Sequence, residues 1–131
     1  MRSILRGMLA CVALGLQLSQ AHGAEISPAS LVGTWRLSEA TAEGGVFETE
    51  VRLEQSMRFV VVGTIQGKQV VHWNGTWEVK DHQLIWHYDG GSSAIAPPAK
   101  TDIDNIISVD AAKLVLDSRL SNKEHVYLRE R

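Results

Sequence analysis

From Val46 to Gln55 apolar and charged side chains alternate. Phe47, Thr49, Val51 and Leu53 fall on one side, and Glu48, Glu50, Arg52 and Glu54 on the other. A period of two belongs to an extended strand with one buried and one wet face. A helix cannot bury such a stripe, because it brings together residues three and four apart. Similar short β-branched and aromatic segments recur along the chain, separated by turn residues. Val32 to Ser38 alternates Trp35 and Leu37 with Thr34, Arg36 and Ser38, and Glu43-Gly44-Gly45 ends the turn that follows. Met57 to Ile65 is apolar on both sides at Phe59-Val60-Val61-Val62, and Gln66-Gly67-Lys68 reverses it. From Leu84 to Tyr88, Leu84, Trp86 and Tyr88 share one face. Further strands are predicted over Asp102 to Val109, Lys113 to Arg119 and His125 to Arg129.

The stretch from Gln69 to Val79 has two readings. Asn74-Gly75 is a strong two-residue hairpin signal, but a turn there leaves strands of only four or five residues. The preferred alternative is one long strand bent at Gly75, since glycine within a strand often marks a sharp bend in a closing sheet. The total is then eight antiparallel strands joined mostly by tight turns, which predicts an all-β, up-and-down, eight-stranded barrel. One helical turn is expected at Ser27 to Leu31, with Ser27 as cap and Pro28 at the first helical position. Asp89 to Lys100, containing Gly90-Gly91, Ser92-Ser93 and Pro97-Pro98, is the longest irregular stretch. Loops of that length in small domains are often functional.

Ahead of these strands, Arg2 and Arg6 precede an apolar run, Gly7 to Leu18, whose only polar side chain is Gln17. Ala21-His22-Gly23 then places small residues where a signal peptidase reads them. Residues 1–23 are expected to be a signal peptide cleaved before Ala24, leaving one domain over residues 24–131. The run falls short of the roughly 20 residues that span a bilayer. Met8-Leu9-Ala10-Cys11 loosely matches a lipidation site, but the apolar run continues past Cys11, which assigns that residue to the discarded leader. The mature chain would then lack thiols, excluding disulfides and thiolate metal sites. Loss of Arg2 and Arg6 from 13 basic residues leaves 11 against 15 acidic ones, a formal charge of −4. That balance argues against nucleic acid as a partner. The expected location is periplasmic or secreted, with no stable membrane anchor after cleavage.

Leu31-Val32-Gly33-Thr34-Trp35-Arg36-Leu37 resembles the opening of lipocalin-like domains. Gly75-Thr76-Trp77-Glu78-Val79-Lys80-Asp81-His82-Gln83-Leu84 is similar to a mid-barrel segment of small bacterial members of that calycin-type family. With Val126-Tyr127-Leu128-Arg129, the likeness spans nearly the whole mature chain. The resemblance implies that Trp35 closes the bottom of the barrel and that a basic residue of the last strand, here Arg129, lies against its ring. Such a cation–π pair contributes about 0.5–2 kcal/mol. It also implies an exported protein that binds a small hydrophobic or amphipathic ligand at the barrel mouth.

With Trp35 and Trp77 assigned to the core, Phe59, Trp73, Trp86 and Tyr88 remain as candidate ligand-binding residues, in competition with ordinary core filling. His72, His82, His87 and His125 lack ligand spacing, so no metal site is expected. Asp102, Asp104 and Asp110 are read as exposed turn and edge charges. Ser92 and Ser93 lack a nucleophile context, and the Asn74-Gly75-Thr76 sequon is attributed to chance. No catalytic residue and no cofactor are expected. The alternative function is a periplasmic protein-interaction module of the same fold, an inhibitor or envelope accessory without a ligand cavity.

Overall fold

The computed structural model describes residues 25–91, 95–119 and 121–131 of the 131-residue chain. The expected leader, Cys11 and the Ser92-Ser93 pair lie outside these residues. Eight strands follow in order: β1 (Gly33–Ala40), β2 (Val46–Leu53), β3 (Arg58–Ile65), β4 (Lys68–Lys80), β5 (Gln83–Gly91), β6 (Thr101–Val109), β7 (Lys113–Ser118) and β8 (Lys123–Arg129). Each pairs antiparallel with its neighbour in sequence, and β8 returns to β1, so the sheet closes into an up-and-down barrel. Closure pairs the two terminal strands with each other, at Trp35–Arg129 and Arg36–Leu128.

The alternation in β2 sets its register as expected. Val51 and Leu53 are buried, while Arg52 between them is exposed. In β5, Leu84 and Trp86 point inward, with Tyr88 in phase. The 13-residue β4 is one strand through Asn74-Gly75, and its register against β5 shifts between those two residues. Opposite the shift, β5 accommodates Asp89 as an extra residue. Its carboxylate accepts a hydrogen bond from Arg58 Nη2 at 3.0 Å. A Cβ at position 75 would overlap the His87 carbonyl oxygen, so only glycine permits the strands to close there. The bend is thus a bulge, which tightens the local twist of a closing sheet.

One end of the barrel is sealed. A single 3₁₀ turn, Pro28–Ser30, is capped by Ser27, whose Oγ accepts from the Ala29 amide at 3.3 Å. It delivers Leu31 into the barrel end, fully buried, where the Leu31 carbonyl accepts the Trp35 Nε1 proton at 2.9 Å. The Arg129 guanidinium lies 4.1 Å from the Trp35 ring centroid. It donates to the carbonyls of Ala111, Val32 and Ser30 at 2.8–2.9 Å. Gly33, at φ +145°, makes room: a Cβ there would stand 2.5 Å from Arg129 Nη1. Trp77 packs in the same core and donates from Nε1 to the Glu54 and Arg58 carbonyls, pinning the β2–β3 turn. Leu53, Phe59, Leu84, Ile106, Leu114 and Leu116 complete this packed half.

Candidate functional site

Packing stops partway up the barrel. The space between Trp35, Val51, Trp86, Leu114, Leu116 and Tyr127 is too small for a water molecule. Above it, at the end where the β1–β2, β3–β4, β5–β6 and β7–β8 connections gather, the barrel opens into a cavity of about 250 Å³. At about 30 Å³ per water in the liquid, that is room for roughly eight waters. Sites for drug-sized ligands start at about 300 Å³, so the occupant fitted here is small.

Three of the four predicted site residues line this cavity: Trp73 from β4, and Trp86 and Tyr88 from β5. Phe59 does not. It is fully buried below the cavity floor, with its ring 5.0 Å from Trp86 and 5.2 Å from Tyr88, both edge-on. Trp73 continues the cluster with an edge-on contact to Tyr88 at 5.7 Å. Such pairs contribute about 0.5–1.5 kcal/mol each beyond burial and fix ring orientation. Phe59 therefore holds the wall from behind while Trp73, Trp86 and Tyr88 present it. The Trp73 indole also donates to the Ile95 carbonyl at 2.8 Å, and the Tyr88 amide donates to Lys100 at 2.8 Å. These bonds fold segment 95–100 over the mouth and bring Pro98 into the lining.

On the adjoining strand β6 the acids depart in part from the exposed placement expected. Asp110 is the exposed turn charge expected, its Oδ1 accepting from the Ala112 and Lys113 amides. Asp102 and Asp104, however, are half-buried and line the cavity. They pair across the sheet with inward-facing Trp86 and Leu84, in phase with buried Ile106. Asp104 accepts a hydrogen bond from Trp86 Nε1 at 2.9 Å. Burial pushes its carboxyl up to about 6, and neighbouring Asp102 and Asp117 add to the shift, while the Trp86 hydrogen bond opposes it. Burial also raises Asp102, against the pull of the Ile103 amide and the Arg119 charge. Glu39 stands at the rim, its Oε2 3.8 Å from His125 Nε2. His125 and Tyr127 of β8 line the cavity beside Thr49 and Ser118. Tyr127 is half-buried, and burial raises its hydroxyl pKa, with the charges of Asp104 and Glu39 adding to the shift.

The histidines do not converge. His72 and His87 sit on adjacent strands but at different heights: His72 faces Val62 of β3, and His87 faces Thr76. His82 lies in the β4–β5 turn. Among the described residues, no three His, Cys, Asp or Glu side chains are placed to hold a metal ion. No helix among them is long and apolar enough to cross a membrane.

The closed eight-stranded antiparallel barrel is consistent with a calycin or lipocalin-type fold. No protein-family model matches the chain, and no curated protein is similar enough in sequence to place it in a family.

Proposed function

We propose that this chain is an exported lipocalin-type binding protein, without catalytic activity, that holds a small amphipathic molecule at the barrel mouth. The observation that carries the reading is the cavity itself: about 250 Å³, open at one end, lined by the aromatic Trp73, Trp86 and Tyr88 together with the acids Asp102 and Asp104 beside them on β6 and other polar groups. A mostly apolar concavity with a few convergent polar groups is the usual form of a small-ligand site. The sealed end, built on Trp35 and Arg129, supports the lipocalin-type reading. The Arg2 and Arg6 charges and the apolar run of residues 7–18 support export, with cleavage before Ala24 and release into the periplasm or medium. Mass spectrometry of the protein recovered outside the cytoplasm should give an N-terminus at Ala24. An intact Met1 would contradict export by cleavage.

The binding reading is tested by titrating the mature protein with single-ring alcohols, amines and short carboxylic acids while its tryptophan fluorescence is followed. A saturable response in at least one class, lost in Trp73→Ala, is expected. No saturable response to any class at millimolar concentration would overturn it.

A second reading, a protein-interaction module of the cell envelope, has one observation in its favour. Ile107, Val126 and Leu128 are 44–55% exposed on the outer faces of β6 and β8. Replacing all three with serine should abolish capture of an envelope partner if that reading holds, and leave small-ligand binding unchanged.

A further inference from the structure

We propose that the cavity at the barrel mouth selects an organic cation: a protonated amine or quaternary ammonium group carried on one aromatic ring or a comparable apolar body. The inference rests on the ligand-binding reading above and names the ligand's chemistry.

The first support is the sign of the walls. Glu39, Asp102 and Asp104 line the cavity, no lysine or arginine does, and His125 is the only lining residue able to carry positive charge. Among the described residues, Asp102 and Asp104 form no salt bridge; their fixed partners are the Ile103 amide and the Trp86 indole. Asp102 also lines a surface groove with Thr101, Ile103 and the exposed Arg119, whose charge partly compensates it, whereas no cation is among the groups acting on Asp104. A half-buried carboxylate without a counter-charge, as at Asp104, is costly, and a ligand cation removes that cost. An uncharged ligand would further desolvate the acids without pairing them. An anionic one would meet like charge.

The second support is the aromatic wall. Ring faces attract cations, tryptophan most strongly, and more so when water is excluded. Trp73, Trp86 and Tyr88 hold their orientations through edge-on contacts with one another and with Phe59. An ammonium group seated in the cavity would therefore meet the rings of β4 and β5 and, next to them on β6, the Asp102 and Asp104 carboxylates.

Tyr127, half-buried in the cavity lining beside His125, offers its hydroxyl as a second contact for the ligand's polar end.

Acidification should weaken such binding. The groups facing Asp104 are Trp86 from β5, Asp102 from its own strand, Asp117 and Ser118 from β7, His125 and Tyr127 from β8, and Glu39 from β1. As pH falls through about 6, Asp104 loses its charge. That loss disfavours a bound cation.

The test compares 2-phenylethylamine, 2-phenylethanol and phenylacetate, which share a ring and differ in head-group charge, by isothermal titration of the mature protein at pH 7.5 and pH 5. The amine is expected to bind roughly tenfold or more tighter than the alcohol at pH 7.5. That advantage should shrink at pH 5 and in Asp104→Asn and Asp102→Asn. If the alcohol binds as tightly as the amine, the cation inference falls while the binding reading stands. If phenylacetate binds tightest, the inference falls as well. If none of the three binds, both readings fall. Should a substituted chain fail to fold, the wild-type comparison of amine with alcohol at the two pH values decides alone.

Discussion

Arg129 shows how much one side chain can hold at the sealed end. Its fork satisfies three carbonyls from two separate segments while its face covers Trp35. Arg129→Met would keep the apolar stem but leave those carbonyls unpaired, at a cost of about 2–5 kcal/mol. A urea titration should show this as a lowered midpoint with little change in slope. Asp104 makes the opposite kind of contribution. Its carboxyl is raised from 3.8 in the free state to about 6 in the fold, so the folded chain binds more protons than the unfolded one in that window. Its contribution to stability is therefore greatest below pH 4 and declines as pH rises toward 6. Asp104→Asn should be more stable than the wild type at pH 7, by about 1–2 kcal/mol after allowance for partial solvent contact, and the difference should vanish near pH 4. Urea midpoints of both chains at the two pH values check the sign. The inward placement of Asp102 and Asp104 escaped the sequence reading because an acid at every second position looks like a wet face. Their parity with Ile106 was the available signal, as was that of Glu39 with Trp35 and of His125 with Arg129. In a barrel with an open mouth, residues of one inward row pass from apolar to polar as the row leaves the packed half.

At the scale of elements, the sequence was most informative where one face is fully buried. β2 and β5 alternate in hydrophobicity because every second residue enters the core, so their faces could be assigned from pattern alone. Their ends were harder to place. β5 runs on to Gly91 because the bulge at Asp89 restores its pairing with β4, whereas the glycines there read as loop. Gly75 was identified as a bend from its residue type, and the structure supplies the reason in the adjacent His87 carbonyl. Gly75→Ala should therefore lower the thermal midpoint by roughly 5 °C or more, since neither strand can retreat without loss of the bulge. Calorimetry of the two chains measures it. The seam that closes the barrel is the weakest junction: β1 and β8 share two paired positions, against eight between β1 and β2. Amide hydrogen exchange should be faster along the β8 edge facing β1 than in the β3–β4 pair, where pairing is extensive. Equal protection in both places would show that the barrel opens only as a whole.

The whole molecule divides along the barrel axis into a packed half that specifies the fold and a hollow half free to vary in chemistry. The four tryptophans divide the same way. Trp35 and Trp77 are fixed in the sealed end, each with its indole N–H bound to backbone carbonyls. Trp73 and Trp86 line the cavity, their indoles bound to the Ile95 carbonyl and to Asp104. This division offers a direct measurement of where a ligand sits. In a ¹⁵N-labelled sample the four indole N–H groups give separate resonances, which can be followed as 2-phenylethylamine is added. The Trp73 and Trp86 signals should move together along one saturation curve, with Trp35 and Trp77 unchanged. Movement confined to Trp35 and Trp77, or no movement at ligand concentrations that saturate other probes of binding, would contradict a site at the barrel mouth.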